Sequence, residues 1–322
     1  MEIVAVDIGG THARFALAQV GNGRVQRLGA AVTLRTVEHA SLQTAWEAFG
    51  AGLDRPLPHA AGIAIAGPVG GEVLTMANNP WVIRPALIEA KLGVATYTLV
   101  NDFAAVGHAV AQLPAASLSH LCGPDEPLPI HGVTTILGPG TGLGVAAVLR
   151  QAAGYTIIAT EGGHIDFAPV DPLEDAILTQ LRRRYRRVSA ERIVSGPGLA
   201  NIHEALAQIE GRAVHTGDDK ALWTAALDGS DSLAAAALDR FCLSLGSVAG
   251  DLALAQGAGA VVIAGGLGLR LAKHLPRSGF GTRFVAKGRF EGMMAGLPVK
   301  LITYPEPGLY GAAAAFAQEH TA

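Results

Sequence analysis

The sequence predicts an α/β protein made of two duplicated halves around a central cleft. Short apolar runs with strand character alternate with helical segments along 322 residues, a length that suits about two domains. Two hairpins turn on glycine and threonine, at residues 7–11 and 138–142, and each opens one half. Because ligands commonly bind between such copies, the cleft is the expected binding site.

The first half begins with antiparallel strands and continues as an α/β unit. Strand-type runs occur at residues 2–8, 13–20, 25–34, 61–66, 72–77 and 96–100. Helices are predicted at residues 38–50 and 85–92, and from Phe103 onwards.

The second half repeats part of this pattern after a proline-rich stretch at residues 121–130, so a domain boundary is expected near residues 112–130. Strands are predicted at residues 133–137, 143–149, 155–159, 260–264 and 299–304, with helices between the third and the fourth. The chain closes with a small-residue helix at 312–318, and so apolar a helix must dock on a core.

Composition excludes several classes of protein. The 24 Lys and Arg against 27 Asp and Glu give a net charge of −3, which argues against a nucleic-acid binder, and 50% hydrophobic residues exclude disorder. The 18 uncharged residues 252–269 hold five glycines and one glutamine, so we predict a helix, a turn, a strand and a turn rather than a membrane span. Without a secretory signal, and with two cysteines far apart, we expect a cytoplasmic protein.

The two glycine-threonine turns are candidates for phosphate binding. Glycine lets backbone amides approach a phosphate, the Thr11 hydroxyl can donate, and Asp7 can hold hydrated Mg²⁺. An ordinary glycine hairpin is the alternative for either turn alone, but two such turns could grip a polyphosphate. The chain contains neither a Walker A loop nor a Rossmann fingerprint. Gly265 and Gly266, after another strand, suit a nucleoside, or simply a strand-to-helix turn.

Polar residues at strand ends and in tight loops are candidates for acid–base and sugar chemistry. Asp102 follows a buried strand and is placed as a general base for a hydroxyl, although that segment alone favours a helix cap. Glu161 and His164 flank two glycines, which suits a loop that grips vicinal hydroxyls; a zinc site or a solvated turn is the alternative. Glu191 by itself would be a capping residue.

The arginine-rich run at residues 182–187 invites a nucleic-acid interpretation. An apolar stripe on the same segment predicts instead that the arginines lie on a solvated face. The stripe consists of Ile177, Leu178, Leu181, Tyr185 and Val188.

Taken in order, the motifs resemble the bacterial ATP-dependent glucokinase family, which belongs to the sugar kinase, Hsp70 and actin superfamily. They are DIGGTHARFAL, NDFAAV, GPGTGLGVA, EGGHIDFAP, SAERIVSGPGL, IAGG, SGF with KGRF, and PGLYGA. The resemblance spans the whole chain and implies a two-domain actin-like ATPase fold, which is ribonuclease H-like. It implies a smaller domain at 1–111 plus 303–322 and a larger one at 112–302.

The resemblance also implies roles for single residues. Asp102 would be the catalytic base that takes the proton of the glucose 6-hydroxyl. The residues implied to bind the sugar are Asn78, Asn79, Asn101, Asp102, Glu161, His164 and Glu191. The residues implied to bind ATP are Val6, Asp7, Ile8, Gly9, Gly10, Thr11, Gly138, Gly140, Thr141, Gly142, Gly265 and Gly266, with Mg²⁺ at Asp7 through water.

The expected function is therefore phosphorylation of glucose by ATP to glucose 6-phosphate and ADP, feeding glycolysis, in a cytoplasmic homodimer with no nucleic-acid or membrane partner. A broader hexose kinase, a non-catalytic sugar sensor and a chaperone-like or filament-forming ATPase are the alternatives. Two departures from the family pattern stand out: His12 replaces a common asparagine, and ANNPW replaces TNHxW. The cysteine-rich zinc motif of the repressor-related sugar kinases is missing, which argues against that branch.

Overall fold

The computed structural model describes residues 1–76, 78–213 and 218–322. It divides the chain into two compact units. The first consists of Met1–Pro114 together with Tyr304–Ala322, and the second of Ala115–Thr303.

Among the described residues, the first unit contains eight strands, which form a main sheet and a separate two-stranded ribbon. Its strands are β1 (Glu2–Ile8), β2 (His12–Gly21), β3 (Arg24–Leu28), β4 (Val32–Arg35), β5 (Ala60–Ile65), β6 (Leu74–Met76), β7 (Asn79–Ile83) and β8 (Thr96–Asn101). Its helices before residue 114 are α1 (Leu42–Ala51), α2 (Ile88–Leu92) and α3 (Asp102–Gln112), with single 3-10 turns at Thr36–Glu38 and Pro85–Leu87.

The second unit combines another sheet with a larger helical layer. Its strands are β9 (Leu118–Cys122), β10 (Gly132–Pro139), β11 (Leu143–Gln151), β12 (Gly154–Thr160), β13 (Ala258–Ile263) and β14 (Val299–Ile302). Its helices are α4 (Pro172–Arg184), α5 (Ala190–Ile193), α6 (Gly196–Glu210), α7 (Asp219–Asp228), α8 (Ser232–Gln256), α9 (Gly265–Arg270), α10 (Phe280–Val285) and α11 (Glu291–Ala295), and its 3-10 turns are Ala115–Ser117, Gly162–His164, Leu275–Arg277 and Gly288–Phe290. The chain then returns to the first unit as α12 (Pro307–His320).

The two main sheets repeat one topology. The first has the order β3-β2-β1-β5-β8, with β1 antiparallel to β2 and parallel to β5, and β5 parallel to β8. The second has the order β12-β11-β10-β13-β14, with the same directions, and adds β9 at its edge. The predicted α/β class and the duplicated halves are confirmed.

Two predicted elements of the first unit differ from those observed. The strand predicted at 25–34 is split into β3 and β4, and between them the Gly29 amide donates to the Leu17 carbonyl (2.8 Å). The helix predicted at 38–50 begins later, at Leu42 of α1, because the Ser41 hydroxyl caps the helix there by accepting from the Thr44 amide (3.3 Å).

Strands β7 and β9 were not predicted. Pro80 lies inside β7, which pairs with β6 in a two-stranded ribbon away from the main sheet, where a proline is tolerated. Strand β9 overlaps the proline-rich stretch. The strand predicted at 72–77 is observed as β6, and Ala77 lies outside the described residues.

The terminal helix completes the first unit, as its apolar character predicted. Side chains alternate along β1, so that Ile3 and Ala5 pack under α12 while Val4, Val6 and Ile8 pack under α1. The helix begins earlier than predicted, at Pro307, because proline suits the first helical position. Both faces of the sheet are therefore covered.

Helix α8 is long and apolar enough to cross a membrane, but 72% of its apolar window is buried inside the structure. Residues 252–269, for which we predicted a helix, a turn, a strand and a turn, form the end of α8, a turn at Gly257, β13 and then α9. The last predicted turn is wrong, because a helix already begins at Gly265. Burial of this kind is that of a core helix.

We expect Gly311→Ala to destabilise the protein by about 1–3 kcal/mol, because a methyl group there would overlap the carbonyl oxygen of Ala105 in α3. Urea unfolding measures the change. Gly21→Ala is the control, since a methyl group at Gly21 meets open space, and it should shift stability by less than about 1 kcal/mol. Equal stabilities of the two variants would contradict the packing of α12 on α3.

Candidate active site

The first glycine turn joins β1 to β2, and neighbouring groups fix its backbone. The Gly9 amide donates to the His12 carbonyl (2.9 Å), which closes the turn. The buried Thr36 donates its hydroxyl to the Gly10 carbonyl (3.0 Å) and its amide to the Thr11 carbonyl (3.0 Å). With its carbonyls bonded to the protein, the turn is a preformed loop suited to an anion.

Asn79 fixes the same turn from β7. Its side-chain amide donates to the Gly9 carbonyl (2.8 Å), and its side-chain oxygen accepts from the Trp81 amide (2.9 Å). Asn78, by contrast, is exposed in the left-handed region at φ 60°. The buried Asn79 thus positions the glycine turn, while Asn78 faces solvent.

Other predicted residues of this turn differ in what they can offer. The side chains of Val6 and Ile8 are buried in the core, so only their backbone could contact a ligand. Thr11 is exposed, and its hydroxyl lies 2.9 Å from Nδ1 of His12, the residue that departs from the family pattern.

Asp7 lies at the end of β1 among charged neighbours. Oδ2 is 3.5 Å from an Nη of Arg14, and Nε of Arg14 is 3.0 Å from the Glu306 carboxylate. Burial raises the pKa of Asp7 to about 6; Arg14 opposes that shift, and the charges of Asp102 and Glu306 add to it. The carboxylates of Asp7 and Asp102 are therefore close enough to repel each other.

Asn101, and not Asp102, caps helix α3. The Asn101 side-chain oxygen accepts from the amides of Phe103 (2.9 Å) and Ala104 (3.1 Å), and its nitrogen donates to the Gly67 carbonyl (3.1 Å). Asp102 is the first helical residue, partly buried, and its Oδ1 also accepts from the Phe103 amide (2.8 Å). The capping role that the segment alone favoured belongs to its neighbour, which leaves Asp102 at the carboxyl end of β8, where its charge acts on Asp7.

In the second unit, two helix starts converge on the second glycine turn. The Gly140 amide donates to the Gly142 carbonyl (2.8 Å), and the Gly196 amide at the start of α6 donates to the Gly140 carbonyl (2.7 Å). Gly265, at φ 77°, begins α9 so close that a methyl group there would lie 2.6 Å from the Pro139 carbonyl oxygen. The predicted nucleoside glycines and the predicted phosphate turn are thus adjacent.

The remaining predicted residues of this region vary in exposure. Thr141 is exposed at the tip of the turn, whereas Gly138 is buried in β10. A methyl group on Gly266 would meet open space, so its glycine is not required by packing against the described chain.

Glu191 binds the second glycine turn rather than capping its own helix. Its Oε2 accepts from the Leu143 amide (2.9 Å), and a methyl group on Gly142 would overlap that carboxylate. Helix α5, which carries Glu191, has no side-chain cap. Glycine at 142 therefore makes room for the carboxylate.

Glu161 and His164 lie on a tight loop against the same turn. Both side chains are exposed, by 71% and 56%, and Oε2 of Glu161 is 4.0 Å from Nε2 of His164. A methyl group on Gly163 would overlap the Leu143 carbonyl oxygen, so the loop can approach β11 only with glycine there. Leu143 thus contacts both the Glu161–His164 loop and Glu191, which brings three predicted sugar ligands into one region.

Two residues of the first unit were missed by sequence reasoning. Arg14 lies directly opposite Asp7 in the β1–β2 register, so the hairpin alone could have revealed it. Glu306 comes from the loop before α12, and no local signal connects it to Arg14. In the described part of the chain, no three His, Cys, Asp or Glu side chains form a group that could hold a metal ion.

Comparisons with known proteins extend the sequence resemblance. The family model described as "Glucokinase" matches residues 4–319. The chain is 66% identical over 321 residues to a glucokinase of Zymomonas mobilis, covering 100% of this chain and 99% of that relative. It is similar to the crystal structure of a glucokinase from an Antarctic psychrotroph, with a TM-score of 0.86, 32% identity, and coverage of 97% of this chain and 98% of that one. It shares its fold with a glucokinase of Balamuthia mandrillaris crystallised with glucose, at a TM-score of 0.78 and 20% identity, covering 99% and 93% of the two chains.

We expect Asp7→Asn to stabilise the protein at pH 7, in the absence of ligand, by about 1–3 kcal/mol. The folded-state pKa of Asp7 lies above its ordinary value of 3.8, so its ionisation disfavours folding once the pH rises through about 4 to 6. The gain should disappear below about pH 4, where the carboxyl is neutral in both states. Unfolding curves at pH 4 and pH 7 measure it, and a variant less stable than the parent at pH 7 would contradict the assignment.

Proposed function

The chain belongs to the glucokinase family, and we propose that Asp102 is the base with which it phosphorylates glucose. The reaction transfers the γ-phosphoryl group of ATP to the 6-hydroxyl of glucose and yields glucose 6-phosphate and ADP. The duplicated units have the actin-like ATPase fold of sugar kinases. One observation carries the proposal: Asp102 directly follows the carboxyl end of β8, on the sheet whose β1 carries Asp7 near the same end, while Asn101 caps the helix.

In the proposed mechanism, Asp102 orients the 6-hydroxyl and accepts its proton as the oxygen bonds to the γ-phosphorus. The bond between that phosphorus and the β,γ-bridging oxygen breaks, and ADP leaves with the electron pair. The protein contributes mostly position and charge stabilisation, because phosphoryl transfer asks little covalent work of it. The fixed backbone of the turn at Gly9, Gly10 and Thr11 suits the phosphate oxygens.

Asp7 fits the predicted magnesium site. Mg²⁺ is usually held by one or two carboxylates together with phosphates and water, and Asp7 supplies one carboxylate near the end of β1, just before the first glycine turn. Burial, and to a smaller extent the carboxylates of Asp102 and Glu306, raises the pKa of Asp7, and a cation beside it would favour the ionised form. When bound, Mg²⁺ would neutralise charge on the phosphates of ATP.

The second unit supplies the other proposed ligands. Glu161, His164 and Glu191 are proposed to bind the remaining sugar hydroxyls, which their clustering around Leu143 supports. The backbone of the second glycine turn and the start of α9 are proposed to bind the nucleotide. Asn78, Asn79 and Asn101 are proposed to line the sugar side of the first unit; the bonds of Asn79 and Asn101 to the backbone favour a positioning part for these two.

Three further statements stay predictions: a role in glycolysis, a cytoplasmic location and a homodimer. They rest on the family resemblance. A broader hexose kinase is not favoured, because the relative at 66% identity is a glucokinase. A non-catalytic sensor is not favoured either, since the proposed base and both glycine turns are present.

We expect Asp102→Asn to lower kcat by about 10²–10⁴, the usual contribution of a general base, and to leave glucose affinity within about threefold of the parent. A coupled assay for ADP measures turnover, and calorimetry measures glucose binding. Asp54→Asn is the matched control, an exposed aspartate of the same unit, and should behave as the parent. Near-normal turnover by Asp102→Asn would refute the base assignment.

We also expect ADP release to depend on glucose. Without glucose the acceptor is water, which no bound sugar holds in line with the γ-phosphorus beside the proposed base, so ATP hydrolysis should be at least about 10²-fold slower than phosphorylation. The same assay run with and without glucose measures the ratio. Sugar-independent release would indicate an ATPase, and no release with any hexose would indicate a sensor.

A further inference from the structure

The arginine-rich run at residues 182–187 begins in the last turn of α4 and ends beside the proposed sugar loop. Its apolar stripe is buried or packed against the core and its arginines are exposed, which confirms the predicted solvated face. One of these arginines does more than face solvent. Arg187 donates from an Nη to the His164 carbonyl (2.6 Å), and its Nε lies 2.6 Å from Oδ1 of Asp166. A single planar guanidinium therefore spans two positions of the loop that carries Glu161 and His164.

The residues after Arg187 tie the same loop through the backbone. The Phe167 amide donates to the Val188 carbonyl (3.0 Å), and the Ala190 amide donates to the Ile165 carbonyl (2.8 Å). The next residue is Glu191, which binds the second glycine turn. The segment from Arg187 to Glu191 thus joins the loop to the third proposed sugar ligand.

We propose that Arg187 is a positioning residue for glucose. The inference rests on the proposed function and adds to it a residue that acts through the loop carrying Glu161 and His164. Glu161 and His164 are exposed, so packing does not hold their side chains, and their aim depends on the backbone of the loop. The guanidinium holds the backbone of this loop at the His164 carbonyl, and its ion pair with the Asp166 carboxylate holds the loop at a second point. Its loss would misplace the two ligands without removing either.

The ion pair between Arg187 and Asp166 is too exposed to matter much for folding, so a positioning role can be distinguished from a purely structural one. The side chains of Arg187 and Asp166 are 59% and 75% exposed, and pairs so exposed contribute little to stability. Removing Arg187 should therefore leave the protein folded and weaken glucose binding. Lysine keeps the charge but lacks the fork that makes both contacts.

The test compares Arg187→Ala and Arg187→Lys with Arg186→Ala, which removes the same charge from the neighbouring exposed position. Arg187→Ala should raise both the Kd for glucose, measured by calorimetry without ATP, and the KM for glucose by about tenfold, the effect of one charged hydrogen bond. Its KM for ATP should stay within about twofold and its Tm within about 2 °C of the parent. Arg187→Lys should lie closer to Arg187→Ala than to the parent, and Arg186→Ala should match the parent.

Three results would overturn the proposal. The first is a glucose Kd of Arg187→Ala within twofold of the parent. The second is a rise in the KM for ATP equal to that for glucose, and the third is a fall in Tm beyond about 5 °C, since each of these two indicates general damage. A wrong assignment of the base can be told apart from a wrong role for Arg187. It would appear as near-normal turnover by Asp102→Asn, and it would not affect the calorimetric comparison of glucose binding among the arginine variants.

Discussion

The first unit depends on holding a carboxylate at the end of a buried strand. Asp7 follows directly on the apolar β1, and its burial makes ionisation costly. Arg14, one strand away in register, reduces that cost, and Glu306 holds Arg14 from the loop before the last helix. The Asp7 charge is thus stabilised directly by Arg14, and Glu306 contributes by holding Arg14 in place.

The duplicated topology places glycine turns at equivalent positions, but each unit fixes its turn differently. In the first, Thr36 and Asn79 bond the turn's carbonyls through side chains. In the second, the start of α6 bonds it through the backbone, and Gly142 admits the Glu191 carboxylate. A shared strand order therefore carries two different sets of supporting contacts, because the connections between strands differ in length and content.

Much of the fold could be predicted from the sequence, because both hairpins and most strands have strong apolar patterns and clear glycine turns. Strand β7 was missed since Pro80 is atypical of a strand, and the start of α1 was misplaced since the Ser41 cap has no apolar signal. At the site, local reasoning favoured Asp102 as the cap, and this was wrong: Asn101 is the cap, a position that both residue types fill well. Glu306 could not be found from the sequence, since only tertiary packing brings that residue to Arg14.

The first unit is discontinuous, and this has a consequence for biosynthesis. The face of its sheet that α12 covers includes Ile3, Ala5 and Ala60, which leave the ribosome long before Phe316 does. The second unit, Ala115–Thr303, is synthesised in between; its 303 − 114 = 189 residues take roughly 10–40 s at about 5–20 residues per second. During that interval the nascent sheet exposes an apolar surface, so the amino-terminal part should bind chaperones until the carboxyl-terminal helix emerges.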